Sequence, residues 1–158
     1  MSVRADAETL RNIPIFAECD PVELQVLAFS SERRLFAAGD RIITQGERGD
    51  FAALILDGQT EVQHDAGRGL SAIGTAGPGT MLGEVAMIGG VPYSVSAVAK
   101  TPVSAACITR SLFMRVAAEY PDFGASVLKA LAQRFAGSMS DLADVQDTLD
   151  RSQSFSNL

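Results

Sequence analysis

The stretch of sequence that decides the fold runs from Gly79 to Ala97 and reads GTMLGEVAMIGGVPYSVSA. A short helix beginning at Gly83-Glu84 would direct free backbone N–H groups at an anion, and its glycine lets the backbone approach a ligand closely. The Glu84 carboxylate is an acceptor for sugar hydroxyls. Pro92 would then turn the chain back into a strand. The stretch therefore indicates a site for a small ligand that carries both a negative charge and hydroxyl groups.

On both sides of this stretch, glycine-containing turns separate short segments of strand-forming residues. Most of the fourteen glycines lie between Gly39 and Gly90. Several short strands separated by such turns are typical of a sandwich, barrel or jelly roll. The strands that we expect are Arg34–Phe36, Arg41–Thr44, Phe51–Leu56, Gln59–Gln63, Leu70–Ile73, Ser94–Ala99 and Val103–Ile108. Among the turns, Asp57-Gly58 gives the sharpest hairpin signal and predicts that the strands on either side of it pair with each other.

The residues before and after this block favour helices. Asp20 can cap a helix, and Glu23, three residues later, completes a capping box. After the last predicted strand, Thr109 or Ser111 can cap another helix. The pattern therefore predicts a mainly β domain with helices at both ends.

A long C-terminal helix is expected from about Pro121 towards Asp150. Its apolar residues fit a heptad pattern of about three repeats, which is enough for a two-stranded coiled coil. The positions concerned are Leu128, Phe135, Leu142 and Leu149 at a, and Leu131 and Val145 at d. The alternative is that this stripe packs on the chain's own barrel. Both interpretations stay open for the first half of the helix. Beyond Ser140 the dimer is favoured. We therefore predict a homodimer formed through this helix.

Length and composition fit a single domain. The chain has 158 residues, of which 47% are hydrophobic and 20% charged, and this is a globular composition. We expect one domain over residues 1–158, with the β-roll at about 31–109, helices at about 110–150 and a polar tail at 151–158.

No apolar segment reaches the ~18–20 residues that cross a bilayer, and the first residues, MSVRADAETLR, do not resemble a signal peptide. We therefore expect a cytoplasmic protein without a membrane partner.

The charge and the reactive side chains exclude several classes of function. The net charge is −6, whereas a protein that grips nucleic-acid phosphates needs a basic face, so direct nucleic-acid binding is not expected. His64 is the only histidine, and the two cysteines, Cys19 and Cys107, lack metal-ligand spacing, so we expect no metal and no cofactor. Gly74–Gly83 lacks the lysine of a P-loop, and no set of nucleophile and base is recognisable. The sequence does not predict an enzyme.

Three blocks of this sequence resemble the cyclic-nucleotide-binding domain family, which is shared by catabolite-activator-type regulators, kinase regulatory subunits and nucleotide-gated channels. The first block is Ala38–Glu47, the second is Phe51–Gly58 with Glu61-Val62, and the third is Leu82–Met87, which resembles the family's phosphate-binding cassette. They occur in the family's order and at its spacing, and the resemblance covers nearly the whole chain. It implies an antiparallel β-roll of the jelly-roll type, as in Crp/Fnr-like effector domains, with N-terminal helices and a long C-terminal helix.

The cassette departs from the family pattern at the position of the arginine. The family reads proline, arginine, any residue, alanine, then threonine or serine, whereas this chain reads Pro92-Tyr93-Ser94-Val95-Ser96. The resemblance implies that Glu84 holds the ribose hydroxyl, while Tyr93 stands where the family's arginine holds the cyclic phosphate. A charge-assisted hydrogen bond contributes roughly 1.5–3 kcal/mol, so its loss would weaken cAMP or cGMP binding about ten- to a hundredfold. Another arginine, such as Arg68 or Arg134, is a candidate replacement.

The resemblance also implies which residues contact the ligand and how the signal leaves the domain. The expected ligand-binding residues are Leu82, Gly83, Glu84, Val85, Ala86, Tyr93, Ser94, Ser96 and, on the long helix, Ser138. Only Arg151–Leu158 follow that helix, too few for the DNA-binding domain of the family's transcription regulators, so we expect the signal to pass to a separate, unidentified protein. Two functions stay open: a stand-alone sensor of a small ligand, cAMP or cGMP, and a ligand-independent dimeric protein-interaction module with a degenerate pocket.

Overall fold

Two four-stranded antiparallel sheets form the centre of the structure, a computed structural model that describes residues 3–134. The strands are β1 (Glu32–Phe36), β2 (Arg41–Ile43), β3 (Phe51–Asp57), β4 (Thr60–Asp65), β5 (Leu70–Ala76), β6 (Met81–Leu82), β7 (Ser96–Ala99) and β8 (Val103–Thr109). Sheet I has the order β1-β8-β3-β6, and sheet II has the order β2-β7-β4-β5. Seven of these strands follow the predicted segments closely, and β6 is the addition that joins the cassette to sheet I.

Helices flank the strands, as the sequence predicts. They are α1 (Val3–Arg11), a 3-10 turn (Pro14–Phe16), α2 (Pro21–Ser30), α3 (Glu84–Gly89), α4 (Arg110–Glu119) and α5, helical over residues 121–134. Both capping predictions are confirmed, because Asp20 and Glu23 form a capping box and the Leu112 amide donates to the Thr109 side chain. The predicted fold class, an antiparallel β-roll with flanking helices, is confirmed. No helix within residues 3–134 is long and apolar enough to cross a membrane.

Strand β3 separates the two hydrophobic cores of the domain. Successive side chains of a strand point to opposite faces, and all four central side chains of β3 are buried. Ala53 and Ile55 belong to the core between the sheets, whereas Ala52 and Leu54 belong to the core beneath the helices. Because β6 pairs with the middle of β3, the cassette starts from the most deeply buried part of the fold.

The hairpin predicted at Asp57-Gly58 is wrong. β3 pairs with β6 and β8 in sheet I, whereas β4 pairs with β5 and β7 in sheet II. The Asp-Gly pair therefore carries the chain around the corner from one sheet to the other. Gly58 is required there because its φ is +96°, and a Cβ atom would lie 2.3 Å from the Pro102 carbonyl oxygen. The dipeptide signals the left-handed backbone of a turn but does not specify which strands pair.

The apolar face of α5 packs on the domain's own helices. Phe123 is fully buried, and its ring centroid lies 6.1 Å from that of Phe16 and 5.6 Å from that of Phe113. Leu131 belongs to the same core and packs on its own chain, and its predicted place in a dimer interface stays a prediction. Leu128, by contrast, is 61% exposed. The other predicted interface positions, Phe135, Leu142, Val145 and Leu149, lie outside the described residues.

Both cysteines are buried, and this predicts how stability changes at alkaline pH. Burial raises the pKa of the Cys107 thiol from its usual value near 9.0 to about 11. Burial, reinforced by the carboxylates of Glu23 and Glu18, does the same for Cys19. The unfolded chain therefore loses these protons first, so their contribution is complete below pH 9 and is lost as the pH rises from about 9 to about 11.

We expect the free energy of unfolding, measured with urea, to fall over this pH range. The matched control is the Cys19→Ala and Cys107→Ala double variant, which should show a shallower fall, because tyrosines and lysines titrate there in both proteins. Alkylation of the folded wild type by iodoacetamide at pH 8, at the rate of a free thiol, would contradict the assignment.

Candidate functional site

An open cavity of about 430 Å³ lies between the stretch around α3 and Arg134 of α5. We call residues 82–96 the cassette and this space the cassette cavity. Its lining residues are Ile43, Met81, Leu82, Gly83, Glu84, Val85, Ala86, Val91, Pro92, Tyr93, Ser94, Val95 and Arg134. All the predicted ligand-binding residues from Leu82 to Ser94 are among them, so the structure gathers these side chains around one space.

The backbone conformation at the start of α3 requires a glycine at position 83. Gly83 is the N-cap of α3 and adopts the left-handed backbone, with φ +78° and ψ +20°. A Cβ atom at this position would lie 2.6 Å from Cε1 of the Tyr93 ring. The glycine therefore allows both the turn from β6 into α3 and the close contact between the two ends of the cassette.

Glu84 links the cassette to α5. Its carboxylate accepts a hydrogen bond from Nη1 of Arg134 at 2.8 Å, and the side chain of Glu84 is 14% exposed while that of Arg134 is 53% exposed. An ion pair with one half-exposed partner contributes at most about 1 kcal/mol to stability. The pair therefore places a positive side chain in the cassette cavity without locking it there.

Tyr93 occupies the position of the family's arginine, and its hydroxyl is hydrogen-bonded within the chain. The residue is 4% exposed, and its Oη donates a hydrogen bond to the Phe51 carbonyl oxygen at 2.5 Å. The Tyr93 and Phe51 rings meet edge to face at 6.2 Å. Burial raises the pKa of the Tyr93 phenol, so the hydroxyl stays protonated and keeps this bond. Tyr93 thus ties the cassette to β3 and contributes no positive charge.

The far end of α3 is held by α4. Arg110, the first residue of α4, donates from Nη1 to the carbonyl oxygens of Met87, at 2.8 Å, and Ile88. These carbonyls lie at the C-terminal end of α3, where a positive side chain is favourable. The cassette helix is therefore attached to the helical layer at one end and to β3, through Tyr93, beside its other end.

Two predicted ligand contacts do not line the cassette cavity. Ser96 is 2% exposed, and its Oγ accepts a hydrogen bond from the Gln45 amide at 2.9 Å. It lines a separate cavity of about 450 Å³, and its predicted role as a ligand contact stays a prediction. Ser138 lies outside the described residues. Of the two arginines considered as replacements, Arg134 lines the cassette cavity, whereas Arg68 is not among its lining residues.

The sequence interpretation missed several apolar residues that line the cavity, namely Ile43, Met81, Val91, Pro92 and Val95. Ile43 lies on β2, and Val91 precedes Pro92. Val91 could have been found, because it lies within the cassette itself. Ile43 is forty residues earlier in the chain and reaches the site only because β2 pairs with β7 in sheet II, which no local pattern reveals.

The two antiparallel sheets, the flanking helices and the open cavity beside α3 place the chain in the class of β-roll domains. The chain belongs to one family of that class, the cyclic nucleotide-binding domain, whose family model matches residues 33–120. A cyclic nucleotide-binding-like protein from Brucella abortus is 32% identical, with a TM-score of 0.65 over 71% of this chain and 97% of that one. A cyclic nucleotide-binding domain from Methylobacillus flagellatus is 28% identical, with a TM-score of 0.72 over 90% of this chain and 80% of that one.

One curated relative is a transcription regulator. The CRP-like cAMP-activated global transcriptional regulator of Mycobacterium tuberculosis is 27% identical over 139 residues, which are 87% of this chain and 62% of the regulator. The chain therefore spans less than two thirds of that relative's length.

Proposed function

We propose that this chain is a non-catalytic regulatory domain that binds a cyclic nucleotide, cAMP or cGMP, in the cassette cavity and signals to a separate protein through α5. The observation that carries the proposal is the hydrogen-bonded ion pair between Glu84 and Arg134. It connects the carboxylate expected to hold the ribose to the helix expected to transmit the signal. A ligand on Glu84 cannot leave this contact unchanged.

The ligand fits the charges of the cavity in one orientation. The ribose hydroxyl donates to Glu84, and the cyclic phosphate, with one negative charge, faces Arg134, the one cationic side chain among the described lining residues. The hydrogen bond from Arg134 to Glu84 is charge-assisted but half exposed, so it contributes at most about 1 kcal/mol. Arg134 can therefore exchange it for a hydrogen bond of the same kind to the phosphate, while the ribose hydroxyl takes its place on Glu84. This exchange replaces the direct contact between α5 and Glu84 by a contact through the ligand, and the resulting shift of α5 is the proposed signal.

Titration calorimetry with cAMP and cGMP, continued to millimolar ligand, tests this function. We expect saturable binding by the wild type and about tenfold weaker binding by Arg134→Gln. Arg115→Gln, at an exposed arginine of α4, is the matched control and should bind like the wild type. Equal or tighter binding by Arg134→Gln would mean that Arg134 competes with the ligand, and this part of the proposal would then be wrong.

A ligand-independent interaction module is the second candidate function. One observation favours it: Tyr93 and Glu84 already have partners within the chain, namely Phe51 and Arg134. A pocket of this kind needs no ligand to satisfy its polar groups. Absence of binding heat with either nucleotide, both for the wild type and for Tyr93→Arg, would favour this candidate over the sensor.

The homodimer predicted from the heptad pattern is part of either proposal. Leu128 supports it, because a leucine that is 61% exposed on α5 would contribute roughly 1.5–3 kcal/mol if a partner buried it. Sedimentation velocity on the full chain at micromolar concentration tests this part, and a single monomeric species would contradict it.

A further inference from the structure

A second cavity, remote from the cassette, lies where α2 begins and α4 passes into α5. Its volume is about 350 Å³, and its lining includes four carboxylates, those of Asp20, Glu23, Glu119 and Asp122, with Val22 and Tyr120 beside them. None of the lining residues is basic. We call this space the acidic cavity.

Glu23 has an oxygen that the fold leaves without a partner. The residue is 8% exposed, and its Oε1 accepts a hydrogen bond from the Asp20 amide at 3.2 Å, as the capping box requires. Its Oε2 is buried and is the one such side-chain atom without a hydrogen-bond partner among the described residues. A buried carboxylate oxygen without a partner is unfavourable. Helix capping therefore explains one oxygen of Glu23, and the other remains buried and without a partner in a residue that lines the acidic cavity.

The charged residues that line the acidic cavity are all negative, whereas Arg4 and Arg11 line another cavity at the start of α2. The ion pairs found within residues 3–134 involve other carboxylates. The carboxylates of Glu23 and Glu18 both contribute to the raised pKa of Cys19, so their field extends beyond the cavity. An occupant that satisfies Glu23 Oε2 must therefore be a hydrogen-bond donor, and it should carry a positive charge.

The residues that line the acidic cavity suit a guanidinium group better than a metal ion. No group of histidine, cysteine, aspartate and glutamate side chains in the described part of the chain is arranged to hold a metal. A guanidinium presents a planar fork of donors to carboxylates, and its aliphatic stem packs on apolar surface. Val22, which is 60% exposed, and the half-buried Tyr120 supply such a surface at the same cavity.

We propose that the acidic cavity binds an arginine side chain from a basic segment of a separate protein. The site does not depend on nucleotide binding and can be measured in its absence. It lies at the first turn of α5, whereas Arg134 is about 20 Å further along the same helix. If the proposed function holds as well, α5 carries the partner site at its first turn and the ligand site at Arg134.

Nuclear magnetic resonance of the full-length protein tests the proposal with a defined probe, acetyl-Gly-Arg-Gly-amide. We expect saturable chemical-shift changes confined to the backbone amides of the non-proline residues in the ranges 19–23 and 119–122. The peptide in which citrulline replaces arginine has the same shape without the charge and should not saturate these shifts. Glu23→Gln should weaken arginine-peptide binding at least tenfold, because glutamine keeps the capping box but removes the negative charge.

Glu47→Gln, at an exposed carboxylate elsewhere, is the matched control and should bind the peptide like the wild type. If Glu23→Gln proves unfolded by circular dichroism, Asp122→Asn, at an exposed position, takes its place.

Diffuse chemical-shift changes without saturation would overturn the proposal, and so would wild-type peptide affinity in Glu23→Gln or in Asp122→Asn. So would saturation of the same amides by Mg²⁺ or Ca²⁺ but not by the peptide, because the site would then hold a metal. Nucleotide calorimetry is a separate experiment, so failure here leaves the proposed function standing.

Discussion

Glu84→Gln is expected to weaken the binding of cAMP by about ten- to a hundredfold while the domain stays folded. The substitution keeps the size of the side chain but removes the charge that strengthens a hydrogen bond from the ribose hydroxyl. It also removes the ion pair with Arg134, whose guanidinium is half exposed, so little stability is lost. The effect should therefore appear in the affinity and not in the unfolding transition.

Calorimetry and thermal unfolding, performed on the same preparations, measure both quantities. Glu47→Gln makes the same charge change at an exposed carboxylate outside the cavity lining and should leave the affinity unchanged. Wild-type affinity in Glu84→Gln would show that the ligand does not use this carboxylate, and the assignment of the cassette cavity would be abandoned.

Phe123→Ala is expected to lower the free energy of unfolding by about 3–5 kcal/mol, the usual cost of removing a buried phenylalanine ring. Phe123 is completely buried between Phe16 and Phe113. Its ring joins the N-terminal helices, α4 and the start of α5 in one core. The loss would leave a cavity at the meeting point of these elements, which the rigid neighbouring rings cannot close.

Urea unfolding followed by circular dichroism measures this loss. Lys129→Ala, at an exposed position on the same helix, should change the free energy of unfolding by no more than about 0.5 kcal/mol. A change below about 1 kcal/mol in Phe123→Ala would mean that the first turn of α5 is not anchored in solution. In that case the helix could not report on the ligand through its position.

The β-roll could be predicted because its signals are local. Glycine turns mark the ends of short apolar segments, and Asp20 and Thr109 cap helices through their immediate neighbours. Strand pairing is a different matter, because it depends on the path of the whole chain. The Asp57-Gly58 turn predicted a hairpin for this reason, although it joins two different sheets.

The candidate site shows the same division between local and distant signals. The Gly-Glu helix start predicts Glu84 as an acceptor for sugar hydroxyls, and the family resemblance implies its place at the ribose. The predicted strand Ser94–Ala99 begins two residues later in the structure, at Ser96. Ser94 therefore belongs to the preceding loop. Arg134 lies fifty residues from Glu84. The sequence therefore names it as a candidate replacement for the cassette arginine but does not show that its side chain reaches Glu84.

The heptad pattern of α5 illustrates a limit of periodicity. A stripe of leucines at heptad spacing indicates that one face of a helix is buried, but it does not specify what buries it. Leu131 lies in the chain's own core, whereas Leu128 faces outwards. The two leucines are three residues apart, so one helix face meets two environments.

Helix α5 contributes Asp122 to the acidic cavity and Arg134 to the cassette cavity. Thermodynamic linkage makes the coupling between two such sites reciprocal: a factor by which one ligand changes the affinity of the other must apply equally in the opposite direction. Nucleotide titrations with and without the arginine peptide, and peptide titrations with and without nucleotide, would then return the same factor. If α5 is rigid and the two sites are independent, neither ligand changes the affinity of the other, and the factor is one in both experiments.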